Sequence, residues 1–158
     1  MNDKLDKSDR ILLAHLQEDA TLSLEKLSDV SHLSIASVQR RLRQLRKKGI
    51  IDREVAVLKP NALNQKMSFI VTVELERESV SQLDAFKRAI RKDARVQQCY
   101  YVTGEGDFVL MCIARDMQDF EDLTHTLFFN NSNVRRFRTS VVMDRTKVSL
   151  SVPIDIES

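Results

Sequence analysis

At 158 residues, 42% hydrophobic and 30% charged, the chain is the size of one medium or two small domains and has a globular composition. No apolar run approaches the ~20 residues that cross a bilayer, and the opening MNDKLDKSDR is charged throughout with no apolar stretch before a cleavage site, which excludes a membrane span and a secretory leader and predicts a cytoplasmic location. Net charge is only +2, yet 12 Lys or Arg stand against 9 Asp or Glu over residues 1–60 and 13 against 14 over 61–158, so the cationic excess is local, with six of those twelve cations between 40 and 48.

In chain order, Leu5, Ile11, Leu12 and Leu16 fall on one side of a first helix, with Asp6 and Asp9 giving an acid-supported start. Ser23 caps a second, shorter helix carrying Leu24 and Leu27, and Ser31-His32-Leu33 reads as a tight turn closed by an apolar side chain. The third helix lies within SIASVQRRLRQLRKKG, from its N-cap Ser34 to its stop Gly49. At 3.6 residues per turn, Ile35, Val38, Leu42 and Leu45 share a buried side. Ala36, Arg40, Arg43 and Lys47 project opposite, with Ser37 and Gln44 beside them and no acidic residue in the stretch. Two helices, a tight turn and a basic helix are the grammar of a helix-turn-helix, here winged-helix-like, over residues 1–50.

That reading makes Ser34, Ala36, Ser37, Arg40, Arg41, Arg43, Gln44 and Lys47 the candidate contacts to double-stranded DNA. Ala36, Ser37 and Arg40, near the helix start, would meet base edges in the major groove, with Arg40 suited to bidentate pairing with guanine. Arg41, Arg43 and Lys47 would pair with phosphates, which position the protein without reading sequence. The plainer alternative is a solvated basic face on a helical bundle.

Beyond the basic helix, Ile51, Arg53, Val55 and Val57 alternate with their neighbours until Lys59-Pro60-Asn61, which predicts a strand and hinge over 51–66. From 67 to 158 the predicted order is strand (Ser68 to Glu76), helix (Ser79 to Lys92), strand (Val96 to Thr103), a Gly104-Glu105-Gly106 turn, strand (Asp107 to Ala114), helix (Met117 to Phe129) and strand (Val134 to Met143). This is βαββαβ, a ferredoxin-like arrangement, so the fold class is α+β. Leu83, Phe86 and Ile90, and Phe120, Leu123 and Leu127, form helical stripes that cover one face of the sheet. Phe108, Leu110 and Cys112 alternate with Val109, Met111 and Ile113, so the other face is apolar as well. A second copy packed there, giving a homodimer, is the economical expectation; the alternative is the tail, with Val148, Leu150 and Val152, folding back over it. Cys99 and Cys112, both within strands, fit reduced core thiols rather than a disulfide framework.

The order and spacing of Leu5-Asp6, Asp9, Ile11-Leu12, Leu27, Leu33-Ser34, Arg41, Leu45 and Gly49-Ile50-Ile51, then Val96, Cys99, Val102-Thr103-Gly104, Asp107, Val134 and Lys147, resemble the leucine-responsive/asparagine (Lrp/AsnC, feast/famine) family of transcriptional regulators. The resemblance implies dimers that assemble into tetramers, octamers or other rings and bind a small-molecule amino acid effector in a cleft between effector domains, with no other cofactor. It implies that Gly104, Glu105, Gly106 and Asp107 line that cleft, with Tyr100, Val102 and Thr103 just before the turn and Ser140 and Val142 at positions that tune the response. The turn's backbone N–H groups suit a carboxylate, and Asp107 suits an ammonium. Spacing alone allows a plain hairpin whose Asp107 bonds the turn backbone.

The chain departs from the family pattern at Gly106, where an aromatic is usual and whose absence loosens the loop, at Thr21, usually basic, and at Asp52-Arg53, usually glycine-tyrosine. An architectural protein of the same fold that bends DNA without an effector is the alternative function. An RNA-recognition module lacks its basic-aromatic run here, since the third predicted strand opens Asp107-Phe108-Val109-Leu110. His15, His32 and His125 are scattered, no Cys/His pair has metal spacing and no nucleophile motif occurs, so neither a catalytic nor a metal site is predicted.

Overall fold

The computed structural model describes residues 5–77 and 79–157. Three helices open the chain: α1 (Lys7–Glu18), α2 (Leu24–Ser31) and α3 (Ile35–Lys47). Each start is fixed by a side-chain cap: Asp6 accepts from the N–H of Asp9, Ser23 from Lys26 and Ser34 from Ser37. The α2–α3 turn pivots on His32, whose φ of 53° is left-handed, and the Leu33 N–H closes it onto the Ser28 carbonyl at 3.2 Å. α3 stops where predicted. Gly49 takes a φ of +70°, and the N–H groups of Gly49 and Ile50 reach back to the carbonyls of Arg46 and Leu45, both at 3.0 Å, the paired bonds of a Schellman motif.

Leu12, Leu27, Val38, Leu42 and Leu45 form the helical core at 3% exposure or less, with Leu33 plugging its edge. Ile35, predicted to share that core, is 43% exposed instead: it is the first residue of α3, and the core side of the helix begins one turn on, at the fully buried Val38. The predicted strand from Ile51 is also absent: residues 52–59 run without ladder bonds, and Val55 and Val57 are 65% and 94% exposed. Period-2 alternation marks which side chains share a face, but a strand needs a neighbouring backbone in ladder register, and among the described residues none pairs with this segment.

By contacts the chain divides into two compact units, one of residues up to Val57 with those from Lys147 onward, the other Leu58–Thr146. The tail therefore packs with the helices and not with the sheet unit. Gln17 on α1 receives it as a second strand would, its amide nitrogen donating to the Val152 carbonyl at 3.0 Å and its oxygen accepting from the Val152 N–H at 2.9 Å. Arg10 donates to the Asp155 carbonyl at 2.5 Å, and Lys7 faces Glu157 at 3.5 Å.

The second unit begins with a short 3₁₀ turn, Pro60–Leu63, then follows β1 (Met67–Leu75), α4 (Val80–Lys92), β2 (Val96–Tyr101), β3 (Phe108–Ala114), α5 (Met117–Thr124) and β4 (Val134–Val141). The sheet order is β2-β3-β1-β4, antiparallel throughout, as βαββαβ topology requires. Phe69, Val71, Val73 and Leu75 on β1 and Phe108, Leu110, Cys112 and Ala114 on β3 face the helices at 6% exposure or less. Phe86 and Ile90 from α4 and Phe120, Leu123 and Leu127 from α5 meet them, with the Phe69 and Phe120 rings stacked at 3.7 Å.

The single helix predicted over Met117–Phe129 is interrupted, α5 giving way to a π-helical turn over His125–Phe129. The wider turn lets Leu127 and Phe128 both enter the core, at 4% and 1% exposure, and leaves Phe129 outside, edge-on to Phe137. Cys99 and Cys112 are free, and burial pushes the Cys112 thiol up to about 12, so it stays a thiol at neutral pH. Among the described residues no helix is long and apolar enough to cross a membrane.

Candidate functional site

The exposed side of α3 carries Ala36, Arg40, Arg43, Gln44 and Lys47, with Ser34 at its cap and Ser37 half-buried beside them. Arg40, Arg43 and Lys47 form no ion pair among the described residues, so three cations face solvent on one stripe. Arg41 stands apart. Its guanidinium turns inward to the start of α1 and donates to Asp6 Oδ2 at 2.7 Å and Asp9 Oδ1 at 2.8 Å. Asp6 thus caps α1 with one oxygen and holds α3 with the other. The Asp9 N–H, and then Arg41, keep the Asp6 carboxyl below its ordinary pKa. Arg46 is likewise spent, on Glu54 at 2.8 Å.

In the sheet unit the loop joining β2 to β3 lies against β1. The Val102 N–H closes the loop onto the Asp107 carbonyl at 2.9 Å, and the Asp107 N–H donates to the Val73 carbonyl at 2.9 Å. Asp107 Oδ2 accepts from the Leu75 N–H at 2.6 Å, where the β1–β4 register slips between Glu74 and Leu75. The hairpin alternative to a ligand role for Asp107 is therefore partly realised: one of its oxygens is occupied by the protein's own backbone. The N–H groups of Gly104, Glu105 and Gly106 have no acceptor among the described residues.

Gly104 adopts a φ of +136°, open to glycine and strained for other residues. Gly106 does not loosen the loop as expected. It is buried, and a Cβ there would lie 2.5 Å from Thr72 Cγ2 and 3.2 Å from the Val73 carbonyl oxygen. The missing side chain is what lets the loop lie flat on β1.

A pocket of about 350 Å³ opens beside this loop, lined by Gly104, Glu105, Gly106 and Asp107 together with Glu74, Leu75, Arg135 and Arg136. The structure thus gathers four of the predicted effector residues. Thr103 is exposed at the loop's start, and Tyr100 projects from β2, its hydroxyl donating to Gln98 Oε1 at 3.2 Å. Ser140 pairs with Ile70 across the β1–β4 ladder, and Val142 lines a second pocket of about 420 Å³ with Lys59, Gln65, Lys66 and Arg145. These last two lie roughly 20 Å along β4 from Arg135. Glu74, Arg135 and Arg136 are pocket residues that the sequence reading passes over. The signal was the Arg135-Arg136-Phe137-Arg138 run, which acquires meaning only when strand order sets β4 beside β1.

Glu74 is the electrostatic centre of the pocket wall, held by Arg135 at 2.8 Å and Arg136 at 2.5 Å. The Arg136 hydrogen bond is the main reason its carboxyl sits below the ordinary glutamate range. Arg138 faces Glu105 at 3.1 Å across the loop.

Comparison with known proteins finds counterparts to both units. The sequence model of the Lrp/AsnC ligand binding domain matches residues 68–152, and that of a winged helix-turn-helix DNA-binding domain matches residues 5–52. An uncharacterized HTH-type transcriptional regulator of Sinorhizobium fredii is 41% identical over 97% of this chain and 90% of its own length. The leucine-responsive regulatory protein of Escherichia coli is 31% identical over 92% of this chain and 88% of its own. Among solved structures, a transcriptional regulator of Neisseria meningitidis in complex with L-methionine superposes with a TM-score of 0.89 at 30% identity, covering 95% of this chain and 97% of that one.

Proposed function

The chain belongs to the Lrp/AsnC feast/famine family of transcriptional regulators, and from that premise we propose that it binds operator DNA sequence-specifically as a homodimer whose affinity or assembly responds to an amino acid. The observation that carries the reading is the cation stripe of α3, exposed and unpaired on a helix capped at both ends. Ala36, Ser37 and Arg40 read bases, and Arg43, Gln44 and Lys47 hold phosphates. Arg41, half-buried on Asp6 and Asp9, contributes by fixing the angle of α3 to α1.

In this reading residues 1–50 bind DNA, 51–66 form the hinge and the sheet unit binds effector and mediates assembly. Two copies meet through the outer sheet face, where Ile70, 40% exposed, adjoins Val109, Met111 and Ile113. The effector carboxylate rests on the unpaired N–H groups of the Gly104–Gly106 loop and its ammonium on the remaining oxygen of Asp107. It shifts the assembly only as far as it binds one arrangement better than another.

One observation favours the architectural alternative: Asp107 already spends an oxygen on the Leu75 N–H, so it serves the fold with no ligand at all. Operator selection from random duplexes, with and without a panel of amino acids, tests both. The expected outcome is enrichment of an imperfect palindrome whose recovery changes with at least one amino acid. Broad, unselective recovery that is indifferent to the panel would replace this reading with the architectural one.

A further inference from the structure

The second pocket, of about 420 Å³, lies within the sheet unit where the turn before β1 meets the end of β4, and it shares no lining residue with the loop pocket. Backbone bonds hold its frame. The Gln65 N–H closes the Pro60–Leu63 turn onto the Pro60 carbonyl, and the Val142 N–H ties the end of β4 to the Ser68 carbonyl, both at 2.9 Å. Lys59 and Lys66 flank the turn, and Arg145 arrives from beyond β4. The side chains of these three make no ion pair or hydrogen bond among the described residues. Against them stands one carboxylate, Asp144, one of whose oxygens accepts from the Thr146 hydroxyl at 2.7 Å. Three cations and one anion leave the lining at +2, and cations gathered without a counter-charge repel one another. Gln65 Oε1 is buried in the same wall with no donor among the described residues, so part of its hydrogen-bonding capacity is unspent.

We propose that this pocket binds the phosphate group of a small phosphomonoester, gripped by Lys59, Lys66 and Arg145. The volume is that of a small-molecule site, where roughly 300–1,000 Å³ is usual. The charge decides the class of ligand. A phosphomonoester carries close to two negative charges at neutral pH and matches the lining, whereas a carboxylate or a phosphodiester brings one. A free amino acid would also bring its ammonium to a cationic wall. Arg145 supplies a planar fork to two phosphate oxygens, the lysines supply point charges, and a hydroxyl on the ligand's body is the donor that Gln65 Oε1 lacks. Lys59 and Arg145 each adjoin an end of the sheet unit, Leu58 and Thr146, so the bound phosphate would draw its first and last residues together. The proposal is independent of the amino-acid reading of the loop.

Calorimetry on the full chain at fixed ionic strength, with glycerol phosphate, inorganic phosphate, dimethyl phosphate and acetate, tests it at about pH 8, where the monoester is doubly charged. Glycerol phosphate and inorganic phosphate are expected to bind at least about tenfold more tightly than the two monoanions. Lys59 and Arg145 are exposed, so Lys59→Gln with Arg145→Gln spares the fold. That pair should weaken glycerol phosphate by at least about tenfold while operator affinity in chloride is unchanged. Asp144→Asn, which removes the opposing charge, should tighten it. Glycerol phosphate bound no better than acetate, or bound equally well by the double variant, would overturn the site. A double variant that loses operator affinity and salt slope in chloride would give these cations to the DNA backbone, and the phosphomonoester assignment would fall.

Discussion

Gly106 shows how much one missing methyl group can decide. The loop approaches β1 so closely that alanine at this position must displace either Thr72 Cγ2, at 2.5 Å, or the Val73 carbonyl, at 3.2 Å. Gly106→Ala is therefore expected to destabilise the sheet unit by about 1–2 kcal/mol, the range of a modest overpacking penalty. Thr72→Ser added to it removes the nearer clash and should recover part of that loss but not all of it, because the carbonyl stays. A double-mutant cycle in urea measures the coupling, and strict additivity would show that Thr72 is not the obstacle. Asp119 is the matching electrostatic case. It is 7% exposed, and its carboxylate accepts from Arg115 Nε at 3.2 Å, the Arg115 N–H at 3.0 Å and Arg95 Nη1 at 3.2 Å. The Arg115 side chain leads these in holding its pKa at about 2 instead of 3.8. A carboxyl depressed by folding lends stability that is complete above its unfolded value and drains away as pH falls through the folded one. Asp119→Asn should cost about 2 kcal/mol at neutral pH, and its deficit relative to wild type should shrink between about pH 4 and pH 2. Melting curves across that interval would refute the assignment if the deficit were constant.

At the scale of elements, α3 divides its arginines by depth, and each division has a distinct signature. Arg40→Ala should relax preference at one position of each half-site and cost about 1–3 kcal/mol in operator binding, whereas Arg43→Ala should weaken all sequences alike and flatten the salt slope by about one. Arg41→Ala should instead lower the melting temperature of the helical unit, since it leaves Asp6 and Asp9 facing each other without their shared cation. Salt-dependent binding assays beside thermal melts separate the three, and an Arg41 variant of unchanged stability that lost only phosphate affinity would return it to the DNA surface. This division also marks what is legible in a sequence. Caps, stops and stripes are local, so Ser34, Gly49, Val38 and Leu42 announce α3, and alternation announces β1 and β3. The partner of Arg41 lies 35 and 32 residues upstream, at Asp6 and Asp9, and spacing cannot say that a cation on a basic helix is already taken. The loop residues Gly104 and Asp107 were visible for the same local reason, while Glu74, Arg135 and Arg136 become neighbours only through strand order. Alternation misled at Ile51–Val57 because the period reports a face and not a partner, and the apolar stripe of α5 cannot register the π turn that turns Phe128 inward.

For the molecule as a whole, the balance to explain is between one layer of helices and a sheet whose outer face is apolar at its centre, on β1 and β3, and polar towards β4. The inner face is sealed by α4 and α5. The outer face, formed by Ile70 and Thr72 of β1 with Val109, Met111 and Ile113 of β3, is left partly open within its own unit. Leaving such a patch in water forgoes roughly 25 cal/mol for each Å² of apolar surface that a partner would cover. The cheapest partner is the same face of a second copy, since an isologous contact closes on itself. Met111 sits centrally, between Ile70 on one side and Gln98 on the other. Met111→Lys places a charge there that the monomer can leave in solvent and a face-to-face dimer must bury beside its own symmetry mate. Sedimentation is expected to show the variant as a folded monomer at concentrations where the wild type is dimeric, with affinity for a two-half-site operator falling towards that for a single half-site. Had the outer face been an ordinary solvated surface, the substitution would leave both sedimentation and operator affinity where they were, and that result would remove the sheet from the assembly.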